Sequence, residues 1–144
     1  MKKYKLLKDL PEKSIYNLEV EDKYYYIHEH GYVDYDLYEW ENDFEFQCRL
    51  EVWNVFLTKE DAEKELEKRK ALARIKKRIW ENKIKKINKN KDYYIIEYDI
   101  HFQKFVIRYK KPLSPFTITF LHREDAKKCL EECKQDWEIL FDLK

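Results

Sequence analysis

Phe56-Leu57-Thr58-Lys59-Glu60-Asp61-Ala62-Glu63-Lys64-Glu65-Leu66-Glu67 returns 64 residues later as Phe120-Leu121-His122-Arg123-Glu124-Asp125-Ala126-Lys127-Lys128-Cys129-Leu130-Glu131. Eight of these twelve positions are identical. Self-similarity at one spacing is the mark of a supersecondary unit built twice. Upstream, Tyr25-Tyr26-Ile27 matches Tyr93-Tyr94-Ile95 at an offset of 68. Each copy therefore reads as strands followed by a helix.

In the first copy, Lys23 to Val33 is rich in Tyr, Ile and Val, with Gly31 as a turn residue. Phe44 to Leu50 alternates as a second strand and Val52 to Leu57 as a third. Thr58 stands where an N-cap is needed, and Glu60 and Asp61 in the first turn favour the helix macrodipole. In the second copy, Asp92 to Ile100 and Lys104 to Lys110 form a hairpin. Pro112 and Pro115 punctuate the connection, and Phe116 to Phe120 supplies a third strand. A helix follows from about Arg123 to Lys134, then a short strand or helical turn over Trp137 to Leu143. Before both copies, Tyr4 to Leu7 and Ser14 to Val20 bracket Asp9-Leu10-Pro11 as a small hairpin.

The expected fold is α+β: two repeated β-β-β-α units with antiparallel sheets, one long and one short helix, and an N-terminal β-hairpin. The hairpin is assigned to 1–22, the first unit with its long basic helix to 23–91, and the second unit to 92–144. The first helix meets no glycine or proline from Thr58 to about Asn88. With Ala62 as the zero of a helical wheel, Leu66, Ala73, Trp80, Ile84 and Ile87 lie within about 40° of it. Leu72, Ile75 and Ile79 form a second stripe on the opposite flank. Two apolar faces demand two partners: one face on its own sheet, the other on the second unit or on another chain as a homodimer contact.

The chain has 144 residues, with 30 Lys or Arg and 29 Asp or Glu, for a formal charge of +1. Near-neutrality conceals segregation. Residues 21–51 carry ten acids against Lys23 and Arg49, whereas 68–91 carry nine Lys and three Arg against Glu81. Such separation shapes association more than folding. A hydrophobic fraction of 44% and 12 Tyr, 8 Phe and 4 Trp supply a packed core despite the charge. No apolar run approaches the roughly 20 residues that span a bilayer. The start, Met1-Lys2-Lys3-Tyr4-Lys5, reads as no signal peptide, and three cysteines fit a reducing compartment, so a cytoplasmic location is expected. A single glycine excludes a Walker loop, a dinucleotide fingerprint and a nucleophile elbow.

Two segments carry the candidate chemistry. On a basic helix strip, Lys70, Arg74, Lys77, Arg78 and Lys85 can neutralise successive phosphates, although Glu63, Glu67 and Glu81 share the sector and can form salt bridges along the helix. In the acidic segment, Asp34, Asp36, Glu39, Glu41, Asp43 and Glu45 interleave with Tyr35, Leu37, Tyr38, Trp40, Phe44 and Phe46. A period of two puts carboxylates on one side of a strand and rings on the other. Such a row can imitate a phosphate backbone in a basic groove, with Tyr35, Tyr38 and Trp40 as interface anchors. The bland alternative is an amphipathic strand with its polar side in water. His28 and His30 share a strand face, but with no second pair at ligand spacing no metal is assigned. Cys129 and Cys133, one helical turn apart, read as small core residues. Ser14 and Ser114 lack a context that activates a hydroxyl. The chain is read as non-enzymatic and without a cofactor.

The opening Lys3-Tyr4-Lys5-Leu6-Leu7-Lys8-Asp9-Leu10-Pro11 resembles an N-terminal module of small accessory proteins from phages and prophages of Firmicutes. Where that module continues with an Ala-Gly-Thr-Ile-Phe type strand, this chain has Ser14-Ile15-Tyr16-Asn17-Leu18. Asn54-Val55-Phe56-Leu57-Thr58-Lys59-Glu60-Asp61-Ala62-Glu63-Lys64-Glu65-Leu66-Glu67, with Lys70-Ala71-Leu72, resembles the "NVF-T-EEAE" segment of the same proteins. The resemblance implies a context: inhibitors of host machinery, including anti-CRISPR and other anti-defence proteins. The expected function is a phage-encoded inhibitor that binds a host defence protein, such as a Cas effector or its RNA complex. The alternatives are a nucleic-acid-binding module using the basic helix, and an assembly protein self-associating through Leu72, Ile75 and Ile79.

Overall fold

The computed structural model describes residues 13–40, 43–84, 92–110 and 118–143. The protein is α+β. Among the described residues, the strands are β1 (Lys23–Ile27), β2 (Val33–Leu37), β3 (Tyr93–Asp99) and β4 (Lys104–Lys110). The helices are α1 (Phe44–Glu51), α2 (Lys59–Glu81), α3 (Arg123–Glu132) and α4 (Lys134–Leu140). The chain divides into two units, 1–66 and 67–144, and the division falls inside α2.

In the first unit, β1 and β2 pair antiparallel from Lys23↔Leu37 to Ile27↔Val33. Gly31, the chain's one glycine, sits at φ 81° in the loop between them. Its N–H donates to His28 O and His28 N–H donates to Tyr32 O, the tight loop with a left-handed third residue that closes a right-twisted hairpin. The first strand is thus shorter than Lys23 to Val33, and its partner is β2 rather than Phe44 to Leu50.

Phe44 to Leu50 is helical, against the strand expected there. Asp43 accepts a hydrogen bond from Phe46 N–H as N-cap, and Glu45 meets Arg49 at 3.2 Å across one helical turn. Only Phe46 of α1 is fully buried, so a 3.6-residue period wins over alternation. Val52 and Trp53 are consumed in ending α1: Trp53 N–H donates to Leu50 O and Asn54 N–H to Arg49 O, with Trp53 at φ 55°. The expected third strand shrinks to one bridge, Phe56 against Tyr25. Asn54 extends it, its side-chain Oδ1 accepting from Ile27 N–H at 2.9 Å and its Nδ2 donating to Ile27 O at 2.8 Å.

Ser14 to Val20 forms turns instead of a hairpin strand, with Asn17 N–H donating to Ser14 O and Asp22 N–H to Glu19 O. Tyr4 to Leu7, the other half of that expected hairpin, lies outside the described residues. Tyr24, Tyr38, Phe46 and Val55 form the core of this unit, with Ile15, Leu18, Tyr26 and Leu50 packed against it.

The second unit repeats the plan. β3 and β4 pair from Tyr93↔Lys110 to Asp99↔Lys104, and Phe120 bridges Tyr94 as Phe56 bridges Tyr25. The bridges correct the repeat register in the strands. Tyr25 corresponds to Tyr94, an offset of 69, so Tyr24-Tyr25-Tyr26-Ile27 lies on Tyr93-Tyr94-Ile95-Ile96. A one-residue slip exchanges the two faces of a strand. Tyr24 with Tyr93 and Ile27 with Ile96 then become buried equivalents. The core gathers Ile75 of α2, Ile96, Phe120, Ala126, Cys129, Cys133 and Trp137. Trp137 belongs to α4, so of the short strand or helical turn expected over Trp137 to Leu143 the helical alternative holds, and it starts earlier, at Lys134.

Helix α2 starts as expected at Thr58, whose Oγ1 accepts from Asp61 N–H at 3.1 Å. It ends at Glu81, seven residues before Asn88. Lys83 at φ 53° donates to Trp80 O and Ile84 N–H donates to Ile79 O, closing the helix with the pattern usually built on glycine. Asp142, at φ 57°, ends α4 in the same way. A left-handed residue other than glycine costs about 1–2 kcal/mol. This glycine-poor chain therefore stops three helices at Trp53, Lys83 and Asp142 by bearing that cost.

The two apolar stripes of α2 also part company. Ile75 is fully buried in the second unit's core and Ile79 packs against it, whereas Ala73 and Trp80 from the other stripe are exposed. Ile84 lies beyond the helix end, and Ile87 is outside the described residues.

Candidate functional site

In β2 the alternation is real but inverted. Asp34 and Asp36 are half-buried, while Tyr35 and Leu37 are exposed. The register sets Asp36 opposite Tyr24 and Asp34 opposite Tyr26, so these carboxylates share a face with the core tyrosines. Helix α1 packs on that face, with Phe46 edge-on to Tyr24 at 5.1 Å and to Tyr38 at 4.9 Å. Arg49 reaches from α1 into the same layer. Its guanidinium lies 3.7 Å from the Tyr26 ring centroid, donates to Tyr24 Oη, and pairs with Asp36 at 3.1 Å. Burial pushes the Tyr24 phenol up to about 12 despite the nearby guanidinium. Burial also opposes the Arg49 charge, but its hydrogen bonds to Asp36 and Tyr24 outweigh that and raise it.

The expected row of carboxylates along one strand is therefore not assembled. Asp36 is committed to Arg49, Asp43 to capping α1, and Asp34 accepts from Tyr35 N–H and from Tyr26 Oη. Tyr38 is buried in the core and cannot anchor a partner. Glu41 lies outside the described residues. On the opposite face, Tyr35 packs beside Tyr25 at 6.3 Å and under Lys23 Nζ at 4.1 Å.

What the fold does build is a cleft of about 420 Å³ between the end of β2 and the start of α1. Asp36, Leu37, Glu39, Trp40, Asp43, Phe44 and Glu45 line it. Trp40 is 62% and Phe44 78% exposed, unusual for rings of that size. Four carboxylates line the cleft, of which Asp36 and Glu45 pair with Arg49, so it is acidic with two bare aromatic walls. Phe44 and Glu45 owe their place to the α1 N-terminus. The Asp43 cap and the Glu45–Arg49 spacing were the signals that could have found it.

The basic strip fares differently. Lys70 pairs with Glu67 at 3.1 Å, Arg74 with Asp136 at 2.7 Å, and Arg78 with Glu132 at 2.9 Å. Lys77 approaches Glu81 at 3.8 Å, and Lys85 lies outside the described residues. Most of the strip is thus bound to α2 itself or to α3 and α4 of the second unit. Asn82 and Arg78 donate to Glu132, holding its carboxyl below the usual range. Two of the three residues of the self-association stripe are likewise occupied, Ile75 being fully buried and Ile79 packed on the same core, whereas Leu72 is half-buried and lines an apolar groove.

Cys129 and Cys133 are both buried, and burial pushes the Cys129 thiol to about 12. Both therefore stay protonated and unreactive at neutral pH. Among the described residues, no group of three or more His, Cys, Asp or Glu is placed to hold a metal ion, and no helix is long and apolar enough to cross a membrane. Comparison of the chain with family models, curated proteins and solved structures returns no match.

Proposed function

We propose that this chain is a phage-encoded, non-enzymatic inhibitor that binds a host defence protein in the bacterial cytoplasm. The class we favour is a nucleic-acid-guided nuclease of the CRISPR-Cas type, blocked at its nucleic-acid site. The observation that supports this reading is the acidic cleft with exposed Trp40 and Phe44. Carboxylates attract the Lys and Arg side chains of a nucleic-acid groove and steer encounter. Indole and phenyl walls then take guanidinium groups by cation–π contact, and Trp is the residue most enriched among interface hot spots. The resemblance of the repeat segment to phage accessory proteins supplies the context.

Glu39, Trp40, Phe44 and Glu45 carry the interaction in this reading. The buried Tyr38 and the capping Asp43 position them. Affinity capture from host lysate, read by mass spectrometry, should return a nucleic-acid-guided nuclease as the specific partner. Glu39→Gln with Trp40→Ala should abolish both capture and inhibition of target cleavage while leaving the far-UV circular dichroism unchanged. Full inhibition by that double variant would sink the proposal.

A further inference from the structure

The first unit is an internal reference for an open sheet edge in the second. Tyr25 exchanges both backbone hydrogen bonds with Phe56, and the Asn54 side-chain amide takes both backbone groups of Ile27. The second unit keeps the bridge between Tyr94 and Phe120, but Ile118 stands at the position of Asn54. Antiparallel pairing turns alternate residues of a strand towards opposite neighbours. Tyr94 points its N–H and C=O away from β4, to Phe120, so Ile96 and Tyr98 point theirs the same way. Among the described residues, nothing accepts from Ile96 N–H or donates to Ile96 O, and the same holds for Tyr98.

An apolar groove of about 260 Å³ lies along this edge. Ile95 and Ile96, whose side chains point to opposite faces of β3, both line it, so it meets the strand edge-on. Leu72, Ile118, Leu140 and Phe141, all from the second unit, are among its other walls. Leu72, Ile118 and Leu140 are half-buried and Phe141 is exposed, so the groove is open to solvent. It is smaller than the clefts of about 300–1,000 Å³ that take drug-sized ligands, and suits roughly one or two aliphatic side chains.

We propose that this edge of β3 binds an extended apolar segment of a partner protein, added as a strand beside Ile96 and Tyr98. The first unit shows which chemistry satisfies the position. At Ile27 it is an amide, giving one acceptor at 2.9 Å and one donor at 2.8 Å. A peptide group carries the same pair. Ile96 and Tyr98 are two residues apart, about 6.6 Å, the spacing of successive rungs in a ladder. An extended backbone answers both, where a lone amide answers one. Alternate side chains of the segment then enter the groove, which supplies the apolar selectivity. An apolar molecule without an amide would leave the Ile96 groups desolvated and unpaired. The site lies wholly in the second unit and does not depend on the acidic cleft.

Nuclear magnetic resonance titration of the full chain with the peptide acetyl-Lys-Thr-Val-Ile-Val-Thr-Lys-amide tests it. The Ile96 and Tyr98 amide signals should shift and exchange more slowly as the peptide binds, while Ile27, already locked by Asn54, should not change. Methylating alternate peptide nitrogens in one register should weaken binding by about 5- to 150-fold, and in the other register by less than about twofold. Ile118→Asn rebuilds the lock of the first unit and should abolish binding, whereas Ile118→Val should retain it. The methylation series uses the native chain and decides the matter whether or not Ile118→Asn folds. No binding of the unmethylated peptide would overturn the proposal, as would equal losses in the two registers, the mark of apolar adsorption without a ladder. An Ile96 amide signal that moves with protein concentration in the absence of peptide would assign the edge to a second copy and overturn it too.

Discussion

The two units share a hairpin, a one-residue third-strand bridge and a helix, yet they are held together by different chemistry. In the first, Arg49 and the tyrosines Tyr24 and Tyr26 form a polar-aromatic layer under α1, and Asn54 locks the bridge to Ile27. In the second, the equivalent of Asn54 is Ile118, and the layer is aliphatic and sulfur-containing around Phe120, Ala126 and Cys129. Duplication thus preserved the backbone pattern while the cores diverged. Trp40 and Phe44 stand exposed on the rim of the cleft beside this polar layer.

The sharpest way to test this difference is to remove the matching bridge residues. Phe120 is fully buried, whereas Phe56 is half-buried beside the Asn54 lock. Phe120→Ala should cost about 3–5 kcal/mol, the loss of a large core ring with its cavity. Phe56→Ala should cost clearly less, because part of its surface already meets water. Urea denaturation with amide exchange mapped to 13–66 and 67–143 separates the two responses. Equal losses would mean that the bridges are interchangeable and the divergence of the cores is cosmetic.

What could be read beforehand follows the same division. The helical repeat was readable because Ala62 and Ala126, with Leu66 and Leu130, keep one spacing that no other pattern explains. The β3–β4 hairpin was readable because five of the seven residues of β3 and four of the seven of β4 are aromatic or β-branched. Helix α1 is not legible in the sequence because Phe44 to Leu50 satisfies both periods over so short a run, and Asp43 stands among so many acids that its capping role does not show. The end of α2 was hidden for a different reason: a helix stop normally announces itself with glycine, and Lys83 does not. The cleft was only half readable. Its acids and rings were visible, but the face each would occupy depended on α1, and Arg49 turned the carboxylates of β2 inward.

The helix starts extend the comparison at a smaller scale. Thr58 caps α2 through its hydroxyl, whereas His122, the equivalent residue, makes no side-chain cap to α3. Thr58→Ala should destabilise by about 1 kcal/mol, and His122→Thr should recover a similar amount for the second unit. Thermal unfolding of the two variants reads both signs. No gain from His122→Thr would show that the second unit satisfies its helix start by another route.

The smallest expected effect is electrostatic, and it has the same sign in both units. Asp22 is hydrogen-bonded by Lys13 and by Glu19 N–H, and Glu132 by Asn82 and Arg78, so both carboxyls lie below their ordinary values. A carboxyl lowered on folding stabilises the native state above its unfolded value, about 4 for these groups, and the contribution fades as pH falls through the folded value. Stability should therefore decline on acidification below about pH 4, in the first unit through Asp22 and in the second through Glu132. Glu132→Gln keeps acceptors for Asn82 and Arg78 but removes the titrating charge. It should flatten the acid limb in amide exchange over 67–143 and leave that over 13–66 unchanged, with Asp22→Asn doing the reverse. Both groups are solvent-screened, so each change is a shallower slope and not a loss of folding. An acid limb unaltered by either substitution would show that neither carboxyl sets it.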